Sequence, residues 1–285
     1  MKPAPFDYAC PTTIAEAVAL LAAHAGQAKP LAGGQSLMPV LAFRLASPDL
    51  LVDLRKLPDL NRITFADDGV RLGARVRWRD IEDETRLTEA HPLLAQAISH
   101  VAHYQIRNRG TVGGSLAHAD PAAEMPGIAV ACDAMIHIMG AAGARIVPAV
   151  QFFTGPLSTV LEPDELIIEA RLPAWPAGRR WAFEEFARRR GDFAMAGVAV
   201  FYDRDAAGRA GNAHIGVIGA CSKPHRVPTA EAALNGRVVD AAAIAAAAQA
   251  VAAAVDPPED LHASADYRRA LVATLTERAL ARAAA

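Results

Sequence analysis

The sequence predicts an α+β fold in two domains, residues 1–175 and 176–285, and three observations carry that prediction. Candidate strands come in sets and a set of helices follows them, rather than alternating with them. The stretch Pro173-Ala174-Trp175-Pro176-Ala177-Gly178 is the strongest linker signal in the chain. Apolar residues make up 52% of the 285 and charged residues 21%, which supplies material for a core and excludes global disorder.

The elements follow in order along the chain. Thr13-Ile14-Ala15-Glu16 spells a capping box, and Ile14, Ala17, Val18 and Leu21 extend it at helical spacing. Lys29–Ala32 is a strand candidate running into Gly33-Gly34-Gln35-Ser36 and a helix, and Leu50-Leu51-Val52 is the next strand. Asn61–Ala66 and Val70–Ala74 flank Asp67-Asp68-Gly69, whose Asp-Gly ending predicts a hairpin. One helical block is expected from Arg79 to about His103, with Leu93, Leu94, Ala97, Ile98 and Val101 on one face. Arg107–Ser115 is polar and glycine-rich, and Pro121 is expected to open a helix ending near Cys132. Met135–Met139 and Arg145–Val147 form a second hairpin around Gly140-Ala141-Ala142-Gly143, and Glu165–Leu172 is a strand stopped by Pro173. Beyond the linker come strands Trp181–Arg188, Gly197–Tyr202 and His214–Ala220, then helices starting from Thr229, Asp240 and Ser264.

Composition and motifs narrow the function. Lys plus Arg total 29 and Asp plus Glu 31, for a net charge of −2, so no nucleic-acid partner is expected. Ala241–Val255 is interrupted by Gln249 and bounded by Asp240 and Asp256, which makes it too short for a bilayer span. Met1-Lys2-Pro3-Ala4-Pro5-Phe6-Asp7 has no apolar signal core, so a cytoplasmic protein without obligatory membrane insertion is expected. Cys10, Cys132 and Cys221 lie far apart with no Cys-x-x-Cys, which predicts three buried thiols and no cluster of the chain's own. There is no Gly-x-Gly-x-x-Gly and no Gly-Lys pair, and Gly-x-Ser-x-Gly fails at Ala117. His100 and His103, with no acidic residue between them, are expected to be partly exposed helix residues rather than metal ligands.

Two Gly-Gly stretches remain: Leu31-Ala32-Gly33-Gly34-Gln35-Ser36-Leu37 and Gly110-Thr111-Val112-Gly113-Gly114-Ser115-Leu116. Each alone also reads as an ordinary tight turn. Paired glycines adopt positive φ and expose successive N–H groups, and such concavities hold oxyanions. No lysine adjoins either stretch, so backbone N–H groups and the hydroxyls of Ser36, Thr111 and Ser115 are the expected donors. A permanently held diphosphate suits them better than a triphosphate being cleaved.

These stretches, with Ile106-Arg107-Asn108-Arg109 and Asp120-Pro121-Ala122-Ala123-Glu124, resemble the FAD-binding medium subunit of the molybdenum hydroxylases, the xanthine dehydrogenase and carbon monoxide dehydrogenase type. Arg188-Arg189-Arg190-Gly191-Asp192-Phe193-Ala194 and Asp260–Arg268 are similar to later parts of the same family, so the resemblance covers essentially the whole chain. It implies a two-part FAD-binding domain of the PCMH type, then a small domain of a three-stranded antiparallel sheet and a helical bundle. It also implies that Leu31, Ala32, Gly33, Gly34, Gln35, Ser36 and Leu37 hold the FAD diphosphate together with Thr111, Val112, Gly113, Gly114 and Ser115. Glu124 would take a ribityl or ribose hydroxyl; its other reading is a solvated first-turn residue favoured by the helix dipole. Ile167 and Phe193 would lie near the cofactor, with core packing as the other account of each. The lysine that some relatives place near the flavin is missing from Phe183-Glu184-Glu185-Phe186. No catalytic residue of the chain is implied, because the redox chemistry belongs to the flavin. The implied partners are a large molybdopterin-binding subunit, carrying the molybdenum cofactor, and a small [2Fe-2S] subunit, in a dimer of heterotrimers. Electrons would pass from the clusters through FAD to NAD, quinone or oxygen. The alternative is a stand-alone non-covalent FAD oxidoreductase acting directly on a small molecule.

Overall fold

The computed structural model describes residues 2–24 and 26–285. Strands Asp7–Ala9, Leu50–Asp53 and Ala28–Leu31 form a parallel sheet in that spatial order. Helix Ile14–Ala23 connects two of them and buries Ala17, Val18 and Leu21. Its cap departs slightly from the expected box. Thr13 Oγ1 accepts from the Glu16 N–H, but the Glu16 carboxylate reaches back to the N–H of Thr12 rather than that of Thr13.

The second sheet has five antiparallel strands in the order Ile63–Ala66, Gly69–Gly73, Leu166–Pro173, Met135–Gly140 and Gly143–Pro148. The central strand comes last in sequence and inserts between the two predicted hairpins. The single helical block expected from Arg79 to His103 is instead three helices, Trp78–Asp83, Leu87–Ala90 and Pro92–Ile98. Pro92 has no N–H to continue a preceding turn and opens a new helix at its first position, where His91 Nδ1 accepts from the Leu94 N–H. The expected apolar face of Leu93, Leu94, Ala97, Ile98 and Val101 is nevertheless buried. His100 and His103 follow the last of these helices and lie in no helix themselves. Pro121 lies in a turn, and the helix begins only at Glu124, running to Ala131.

The third sheet is antiparallel, with strands Arg180–Phe186, Ala196–Arg204 and Ala210–Ile218 and a two-residue addition, His225–Arg226. Helices Pro228–Leu234, Ala241–Ala254 and Ala265–Ala284 follow it in sequence. Ala196–Arg204 is buried on both faces because alternate residues serve different cores. Val198, Val200 and Tyr202 pack with the helices, while Ala199 and Phe201 join the core of the five-stranded sheet. The predicted linker is pinned rather than free. Trp175 lies 4.7 Å from the His91 ring and 5.2 Å from Phe201, and the Arg179 guanidinium sits over both Trp175 and Phe201.

Cys132 and Cys221 are buried as expected, but Cys10, near the edge strand, is only half-buried. Among the described residues no helix is long and apolar enough to cross a membrane.

Candidate functional site

Strand Ala28–Leu31 ends in the first glycine stretch, which leads into helix Leu37–Ala42. Among the described residues, the backbone N–H groups of Gly33, Gly34, Gln35 and Ser36 have no protein acceptor. Gly34 has φ of +74°, a left-handed conformation that favours glycine. Gly33 is required for a different reason: a Cβ there would overlap the Arg109 carbonyl oxygen. Gln35 folds back, its Nε2 donating to the Gly33 carbonyl at 3.1 Å. The Ser36 hydroxyl makes no cap bond to the helix it precedes.

The second stretch corrects the sequence expectation. Val112, Gly113, Gly114 and Ser115 are not a turn with positive φ but the start of helix Val112–His118, capped by Thr111 Oγ1. Their N–H groups are already bonded: Val112 to Val76 O, Gly113 to Ala74 O, Gly114 to Thr111 Oγ1 and Ser115 to Thr111 O. The glycines serve close approach. A Cβ on Gly113 would stand 2.6 Å from the Ala74 Cβ, and one on Gly114 would face the Ala32 Cβ at 3.8 Å. The two stretches therefore touch, and the free N–H groups come from the first.

A cleft of about 480 Å³ opens over that junction, lined by Leu31, Gly33, Gly34, Gln35 and, across from them, Arg109. No lysine lines this cleft, and the exposed Arg109 is the cationic residue on its wall. A larger cleft of about 980 Å³ lies beside the loop between Arg180–Phe186 and Ala196–Arg204, with Asp120, Ala122, Arg189, Phe193 and Arg268 among its walls. Phe193 is 65% exposed in it, so core packing does not account for that side chain. Ile167 is the reverse case, buried in the core of the five-stranded sheet and lining neither cleft.

Glu124 is the first residue of its helix, as expected, but only 7% exposed, which overturns its solvated reading. Burial, followed by the nearby Asp120 charge, pushes its carboxyl well above the usual carboxylate range. Glu185 stands in the Phe183–Phe186 stretch, which carries no lysine. It is pushed up as well, by burial and by the charge of Glu124. Among the described residues no group of three or more His, Cys, Asp or Glu is arranged to hold a metal ion.

Residues 4–175 match the family described as FAD binding domain in molybdopterin dehydrogenase, and residues 181–283 match the CO dehydrogenase flavoprotein C-terminal domain. The nicotine 6-hydroxylase medium subunit of Paenarthrobacter nicotinovorans is 41% identical, over 100% of this chain and 99% of its own length. The carbon monoxide dehydrogenase medium chain of Hydrogenophaga pseudoflava is 37% identical, over 98% of this chain and 97% of its own. A chain of the reconstituted CO dehydrogenase from Oligotropha carboxidovorans superposes with a TM-score of 0.97 at 35% identity, covering 100% of this chain and 99% of that one. With both parts matched end to end, the chain belongs to the family of FAD-binding medium subunits of the molybdenum hydroxylases and is the flavoprotein component of an oxidoreductase.

Proposed function

We propose that the chain holds FAD between the two clefts and relays electrons within a molybdenum hydroxylase complex. The reading rests on one observation above all: the backbone N–H groups of Gly33, Gly34, Gln35 and Ser36 lack acceptors among the described residues, and the first three of these residues line a cleft together with Arg109. That donor set fits a diphosphate, which needs several fixed hydrogen bonds and a positive potential. Leu31, Ala32 and Leu37 shape the ends of this cradle, and the hydroxyls of Thr111 and Ser115 add donors from its second wall. Val112, Gly113 and Gly114 hold that wall close enough to matter. Glu124 accepts from a ribityl or ribose hydroxyl, and Phe193 borders the flavin ring. Ile167 acts only through the core behind them. Residues 1–175 form the cofactor domain in this proposal, and residues 176–285 form the part that closes over the larger cleft.

Bound FAD, held by the Gly33–Ser36 stretch beside Arg109, would supply one- and two-electron redox chemistry between partner [2Fe-2S] clusters and NAD, quinone or oxygen. This chain's residues bind and orient it; none needs to act as acid or base on substrate. The partners are a large molybdopterin-binding subunit and a small [2Fe-2S] subunit, in a cytoplasmic dimer of heterotrimers.

The test is spectroscopic. The purified chain, alone or with its partners, is expected to be yellow, to release FAD on acid precipitation, and to be reduced by the dithionite-reduced iron–sulfur subunit. A colourless chain that takes up no added FAD overturns the proposal. Turnover of a small molecule by the chain alone would support the stand-alone oxidoreductase instead. Glu124→Gln is expected to weaken FAD binding by about 1–2 kcal/mol, the order of one hydrogen bond, measured by fluorescence titration.

A further inference from the structure

The Arg-rich loop joins strands Arg180–Phe186 and Ala196–Arg204 and forms part of the wall of the larger cleft. It is closed at its base, where Met195 N–H donates to Phe186 O at 2.9 Å and Arg268 holds Met195 O. Among the described residues, the only backbone hydrogen bond made by 187–194 is internal, from Asp192 N–H to Arg189 O. The tip therefore depends on what it packs against. Gly191, at φ +87°, lies against the His103 ring: a Cβ there would stand 2.5 Å from both Cε1 and Nδ1, and 2.8 Å from the Ala102 carbonyl oxygen. Phe193, exposed in the cleft, is two residues further on.

The backbone of His103 is held from behind. Ala102 sits in the left-handed region at φ +42°, a strained conformation for alanine that persists only where its surroundings enforce it. Arg107 Nη1 does so, donating to the carbonyls of Ala102 and Val101 at 2.9 and 3.0 Å, and Arg107 pairs in turn with Glu82 at 2.9 Å. His103 then opens the short helix Tyr104–Arg107, and the Arg107 N–H donates to its carbonyl. Its ring makes no cap bond, so nothing in that helix requires an imidazole there. The same segment ends at the other cleft: Ile106 and Arg109 line the smaller one, and the Arg109 carbonyl abuts Gly33. Residues 102–109 thus run as one braced piece from the Gly33–Ser36 cradle to the Phe193 loop.

We infer that His103 is a positioning residue: its ring is the stop against which Gly191 sets Phe193, so that residues 102–109 fix the span between the diphosphate cradle and the aromatic wall of the larger cleft. The inference deepens the proposed function and rests on Phe193 bordering the flavin ring. Without the stop, the loop would have to be ordered at each binding event, which weakens the hold on the ring half of the ligand. The diphosphate half is unaffected, because the cradle is braced separately by Gln35 and Arg109. The stop thereby favours a dinucleotide long enough to reach Phe193 over a nucleotide that ends at the cradle.

The experiment titrates wild type, His103→Ala and His103→Phe, as full chains, with FAD and with ADP by calorimetry, and records the visible spectrum of the bound flavin. ADP carries the diphosphate and no flavin, so it reads the cradle alone. His103→Ala is expected to bind FAD about 3- to 10-fold more weakly, the cost of ordering about one side chain anew, with ADP affinity unchanged and the flavin bands shifted. His103→Phe keeps a flat ring of similar bulk and is expected to restore both. FAD and ADP weakened by the same factor, or FAD affinity and spectrum left as in wild type, overturns the inference. Should His103→Ala fail to fold, Gly191→Ala tests the contact from the other side, because its Cβ drives the loop off the ring. The same loss of FAD relative to ADP is expected, and an unchanged ratio overturns the stop. If wild type binds no FAD, the proposed function fails separately, and the stop is read from cofactor-free chains. Trypsin cuts at the exposed Arg188, Arg189 and Arg190 in proportion to how often the loop opens. Faster cutting there in His103→Ala than in wild type supports the stop, and equal rates overturn it.

Discussion

Gly33→Ala is expected to weaken FAD binding sharply while leaving the chain folded. The added Cβ has nowhere to go: it meets the Arg109 carbonyl oxygen and the backbone of Gly110, not the tip of a flexible side chain. Relief requires the two stretches to move apart, which displaces the unpaired N–H groups from the Arg109 side of the cleft. Overpacking against backbone costs about 1–3 kcal/mol, and here the distortion falls on the binding geometry, so affinity should drop by about 10- to 100-fold. The φ of Gly33 lies outside the left-handed range, so the effect comes from approach distance alone. Gly34→Ala makes a useful contrast, because its φ of +74° is strained for alanine while its would-be Cβ meets only the side chains of Met38 and Leu31, at 3.2 and 3.3 Å. Wild-type affinity in Gly33→Ala, measured by flavin fluorescence, would show that the junction does not shape the cradle.

Arg268→Ala should have the largest effect on stability. The guanidinium is 5% exposed and bridges three segments, donating to Met195 O at 2.7 Å, Gly219 O at 2.9 Å and Asp260 at 2.8 Å. Its loss leaves two carbonyls without this donor and releases the 256–263 segment from the strand ends beside Phe193. Losing hydrogen bonds from a charged donor at a buried site costs about 3 kcal/mol in unfolding free energy. Arg268→Lys should recover only part of this, because a single ammonium cannot span the fork. Equal urea midpoints for wild type and Arg268→Ala would refute the bridging role.

The first glycine stretch was legible because local chemistry determines it: a strand end, two glycines and a helix start leave few options. The second was misread for a reason that was also local. Gly113 and Gly114 lower helix propensity, yet Thr111 is a good N-cap and packing against Ala74 outweighs propensity. The break at Pro92 was readable in hindsight, since proline at a first helical position divides any longer block. Glu185 was not readable. The charge that raises it sits on Glu124, at the start of a helix in the other half of the chain, which local patterns do not show. Periodicity likewise gave no sign that Phe193 would be exposed, because an aromatic residue after a glycine turn fits a core equally well.

The Gln35-to-Gly33 bond and the Gly33–Arg109 contact also bear on the cost of binding. Both hold the first loop in shape using the chain's own atoms. A loop braced in this way has little conformational freedom left to lose, so little of the binding energy of any ligand it takes is spent on ordering it.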